Sequence, residues 1–116
     1  MSMRILLQSS AAGMAMLAAG LFAGTANAID PAAAESLARQ NGCLKCHSVD
    51  KAKEGPAYKE VAAKYKGKPG AEERLIQHIT TGEKAKFPDG HEEEHKIIKT
   101  KDPAELKNLV GWILSL

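Results

Sequence analysis

An all-α domain of about four short helices is the fold class the sequence predicts, on three observations. Apolar side chains recur at helical spacing in several separate segments, two segments open on an Asp-Pro pair, and no segment alternates apolar and polar residues as a half-buried strand would. The first helix starts at Asp30-Pro31, with the acid as N-cap and Pro at the first helical position, and covers Ala32 to Asn41 until Gly42 stops it. Ala33, Leu37 and Ala38 give it a modest apolar face. Residues 48–56 read as a loop ending at Gly55-Pro56, and Ala57 to Tyr65 as a second helix with Tyr58, Val61, Ala62 and Tyr65 on one side. After a turn at Gly67-Lys68-Pro69-Gly70, Ala71 to Thr81 forms the third, with Leu75, Ile76 and Ile79 inward and Gly82 at its end. Residues 83–101 are polar and carry Pro88, Gly90 and the run Glu92-Glu93-Glu94; they are expected to form a long ordered loop, the glutamates a solvated face. The last helix begins at Asp102-Pro103-Ala104-Glu105, a capping-box arrangement, and turns Leu106, Leu109, Val110 and Ile113 inward.

Residues 1–28 read as an export signal rather than as fold. Arg4 supplies the positive start, Ile5 to Phe22 is apolar and rich in small residues, and Ala26-Asn27-Ala28 has the small-x-small pattern of a cleavage site. Gln8, Ser9 and Ser10 interrupt the run and no stop-transfer charges follow it, so no stable membrane insertion is expected after cleavage, and the mature domain spans residues 29–116. That leaves 88 residues, a marginal core unless something adds buried apolar area. With Arg4 gone, 15 Lys and Arg face 14 Asp and Glu. This balance argues against a nucleic-acid partner, which needs a concentrated basic excess.

The two cysteines lie in Cys43-Leu44-Lys45-Cys46-His47. A disulfide is the default for a small exported chain, but this spacing sets two thiols to bond the vinyl groups of one porphyrin while the next imidazole reaches the iron. A structural zinc site would need two further ligands and no third Cys exists; a thioredoxin-type pair would need a βαβ setting that is absent. One covalently attached haem c, with His47 as proximal ligand, is the expectation.

Taken with Gly55-Pro56-Ala57-Tyr58, Val61-Ala62-Ala63-Lys64-Tyr65, Gly70-Ala71 before a helix ending at Gly82, and the closing Trp112-Ile113-Leu114, the mature chain resembles the small bacterial class I cytochromes c. The resemblance implies four short helices wrapped round one haem, with the Pro56 carbonyl accepting a hydrogen bond from the ring N–H of His47. It also places Gly42 and Trp112 in the contact between first and last helices, His78 where relatives often direct an Arg at a haem propionate, and Phe87 where they often have a Trp at the haem edge.

The distal side departs from the family. Its members usually ligate iron with a methionine, yet Met1, Met3, Met14 and Met16 all fall in the export signal. Counting back from Trp112 in the family pattern, the relatives' methionine falls on His95, and a neutral imidazole is a good iron ligand. Bis-histidine ligation by His47 and His95 is therefore expected, with His91 the runner-up and Lys96 a distant third. Because a thioether raises the haem potential, imidazole in its place implies a lower one. The function expected is that of a periplasmic one-electron carrier docking transiently on donor and acceptor proteins, and not an enzyme. The alternative is a protein binding or sensing NO, CO or O2 at an open or displaceable sixth position.

Overall fold

In the computed structural model, which describes Gly13, Gly20 and residues 28–116, the chain forms four α-helices and one short hairpin. The expected export signal, apart from those isolated positions, lies outside the described residues. No helix among the described residues is long and apolar enough to cross a membrane.

Helix α1, Pro31–Gln40, starts where the Asp30 carboxylate accepts the Ala33 N–H at 3.1 Å. Helices α2, Tyr58–Tyr65, and α3, Ala71–Thr80, follow the expected bounds to within a residue. Helix α4, Pro103–Ser115, is capped by the Asp102 side chain, which accepts the Ala104 N–H at 2.9 Å. It is the central element: α1, α2 and α3 all pack on it, through its buried Leu106, Leu109, Val110, Trp112 and Ile113. Ala34 and Ala38 of α1 are wholly buried, and their small side chains let the first and last helices approach closely. Gly42 serves a different purpose from that contact. It adopts a left-handed backbone (φ +68°) at the start of a 3₁₀ turn, Cys43–Lys45, and the atoms nearest a Cβ there would belong to Lys96 and Lys45.

Residues 83–101 depart from the expected loop. Strand β1, Lys84–Lys86, pairs antiparallel with β2, Glu92–Glu94, setting Lys84 opposite Glu94, Ala85 opposite Glu93 and Lys86 opposite Glu92. Opposed charges across the ladder stabilise such a pair modestly, and Gly90 (φ +92°) permits the turn. The three glutamates are exposed, as expected of a solvated face.

Candidate functional site

The 3₁₀ turn after α1 carries both thiols and the first imidazole into a cleft of about 670 Å³. That lies within the usual size of cofactor pockets, roughly 300–1,000 Å³. Its walls include Val61 from α2, Leu75 and Ile79 from α3, Ile98, and Val110 and Ile113 from α4. Apolar walls with two thiols and three imidazoles, those of His47, His78 and His95, are a donor set suited to a covalently attached porphyrin and its iron.

Three contacts orient His47. Its Nδ1–H donates to the Pro56 carbonyl at 2.7 Å, and Tyr58 stacks on the ring with centroids 5.0 Å apart. Tyr58 is itself buried and held edge-on by Trp112 at 5.8 Å. The third contact is Gly55, where a Cβ would overlap Cε1 of the imidazole. Sequence reading places Gly55 only in a turn; its contact with His47 depends on how the loop folds back. Gly55→Ala should therefore cost about 1–3 kcal/mol through overpacking and turn the ring. Altered g values in the electron paramagnetic resonance of the ferric, haem-loaded variant are the expected sign; unchanged values would show that the ring does not depend on this wall.

His95 follows directly from β2. Its N–H donates to the Glu83 carbonyl at 2.9 Å, continuing the hairpin ladder, and its Nδ1–H donates to the Lys96 carbonyl at 2.9 Å. Its ring centroid lies 6.2 Å from that of His47. Among the described hydrogen bonds neither ring has a partner at Nε2. Burial depresses both imidazoles below the usual histidine range, and for each the charge of His78 acts in the same direction. Both are thereby kept in the neutral form that binds metals. Burial also pushes the Cys43 thiol up; at Cys46 burial and the neighbouring Glu54 do the same.

The other predicted residues are divided between cleft and surface. His78 lines the cleft with its ring 4.1 Å from that of His95, and its Nδ1–H donates to Glu83 Oε1 at 2.5 Å. Arg74 donates to the same oxygen at 2.7 Å, and these bonds hold the Glu83 carboxyl below the usual carboxylate range. Phe87 is half-buried at the hairpin tip and stacks on His91 at 4.4 Å. His91 does not line the cleft; it faces Asp89 and Glu93 at the surface. Lys96 lines the cleft beside Cys43. Glu83 and Asn41 were not legible as site residues, since their partners lie in other segments.

Residues 31–116 match the family model described as Cytochrome c. Cytochrome c-551 of Allochromatium vinosum is 38% identical over 100 residues, covering 79% of this chain and 97% of its own. The crystal structure of the class 1 cytochrome MtoD from Sideroxydans lithotrophicus ES-1 superposes with a TM-score of 0.73 at 66% identity, covering 76% of this chain and 97% of that one. Wild-type Nitrosomonas europaea cytochrome c552 gives a TM-score of 0.58 at 33% identity, over 71% and 98% of the two chains.

Proposed function

The chain belongs to the cytochrome c family and carries one covalently attached haem c, and from that premise we propose that it is a one-electron carrier whose iron is held between His47 and His95. The observation that carries this reading is the facing pair of imidazoles. Two rings sharing one metal at about 2 Å per metal–nitrogen bond have centres roughly 6 Å apart, and the rings here are 6.2 Å apart. His91, turned toward surface carboxylates, lacks such a relation to His47.

When bound, the haem supplies a one-electron iron couple. Cys43 and Cys46 would anchor it, His47 and His95 would hold its iron, and the apolar walls would keep water away. The Pro56 carbonyl, by accepting from His47, raises that ligand's basicity. His78 and Phe87 serve the propionate side and the haem edge. Two imidazoles in place of imidazole and thioether set a lower potential than in methionine-ligated relatives. The setting is the periplasm, reached through the export signal at residues 1–28, and the partners are redox proteins bound transiently.

Support for a carrier over a gas-binding protein comes from how His95 is held. It sits at the end of a paired strand with its main-chain N–H bonded, and not on a free loop. Near-infrared and low-temperature magnetic resonance spectra of the oxidised protein should show a low-spin haem with two nitrogen axial ligands. A high-spin spectrum would sink the assignment.

A further inference from the structure

Asn41 is the one buried polar residue of the described core, 4% exposed, at the end of α1 and two residues before Cys43. Both polar atoms of its side chain are hydrogen-bonded. Nδ2 donates to the Leu37 carbonyl at 2.9 Å, closing the helix, and Oδ1 accepts the main-chain N–H of Lys99 at 2.9 Å. The second bond crosses the fold, from the segment carrying the attachment cysteines to the segment carrying His95.

Residues 95–99 are pinned to their surroundings by three main-chain N–H groups. His95 donates to the Glu83 carbonyl and Ile98 to the Ile79 carbonyl, each at 2.9 Å; both acceptors lie in α3 or the chain that leaves it. Those two bonds set the distal segment against α3 and leave its distance from the attachment turn open. Among the described hydrogen bonds, only Lys99 to Asn41 joins the two ligand-bearing segments. A buried, uncharged acceptor suits that task, because an unmet N–H there would cost more than the bond itself contributes.

The geometry points to Asn41 as the positioning residue that registers the distal segment against the attachment segment, and so keeps the sixth iron position closed to diatomic ligands. The inference rests on the proposed ligation by His95. Asn41 touches neither ring; it acts through the main chain of residues 95–99.

The test is CO uptake by the ferrous, haem-loaded protein, with ferric magnetic resonance spectra in parallel, in Asn41→Leu, Asn41→Ser, Asn41→Asp and His95→Ala. Leucine loses both bonds; a serine hydroxyl still reaches the Leu37 carbonyl, as those of Thr80 and Thr81 reach theirs, but only aspartate keeps an acceptor at full reach of the Lys99 N–H. The expected result is a CO rate raised roughly tenfold in the leucine and serine variants, as loss of one buried hydrogen bond implies, with the wild-type rate kept by aspartate. Should Asn41→Leu fail to fold, the serine and aspartate pair decides. Equal rates in those two, or a wild-type rate in leucine and serine while His95→Ala is fast, overturns the role of Asn41 and leaves the ligand reading standing. A wild-type rate and spectrum in His95→Ala overturns the ligand reading, and this inference with it.

Discussion

Cys43→Ala/Cys46→Ala, prepared free of haem, is expected to lose its cooperative fold. Helices α2, α3 and α4 turn apolar side chains into the cleft as well as into one another, and Val110, wholly buried, is also one of its walls. Without the haem these apolar walls face water instead of a prosthetic group, and a domain has only about 5–15 kcal/mol of stability in all to set against that loss of buried apolar area. Far-UV circular dichroism and urea titration should show reduced helix and no sharp transition. A native-like helical signal with a cooperative midpoint would mean that the helices close on themselves without the prosthetic group.

On the proposed ligation by His95, His95→Ala should leave the haem with an accessible sixth position. The side chain removed is neutral, half-buried and braced on one side by the His78 ring, so no neighbouring group of the same chemistry moves in without rebuilding the hairpin end. His78 is tied to Glu83 through Nδ1, and His91 lies outside the cleft. Loss of an outer partner to a metal ligand commonly matters 10- to 100-fold, and loss of the ligand itself should exceed that in the rate of CO binding to the ferrous protein. Full CO binding and a high-spin ferric spectrum are the expected readings. His95→Met, which restores the thioether of the relatives, should keep the haem low-spin and raise its potential; a potential that stays level or falls would contradict the proposed link between imidazole ligation and a lower potential.

The four helices were legible because their signals are local. Asp30-Pro31 and Asp102-Pro103 each place a side-chain acceptor beside the N–H groups that a helix start leaves unpaired, and both carboxylates accept such a bond. The hairpin was hidden for the opposite reason. Lysine and glutamate are poor strand formers, the segments bury no alternating face, and what favours the pairing is charge opposition between residues brought together only across the turn. That miss bears on function, since the expected loop gave His95 more freedom than the observed strand does. His78 lines the cleft, and its partners were not legible because Glu83 and His95 approach it from outside its own helix.

By itself the sequence determined that a haem is attached and by which residues. Cys43, Cys46 and His47 are contiguous, so their geometry needs only one turn of backbone to be right. The family pattern named His95 for the opposite side, and the tertiary structure shows how its ring is brought to face that of His47. His95 reaches within 6.2 Å of His47 because a hairpin ladder, the end of α3 and the side chain of Asn41 each fix one side of its segment. Those are contacts between distant parts of the chain, formed as the helices pack, and no local pattern in the sequence encodes them.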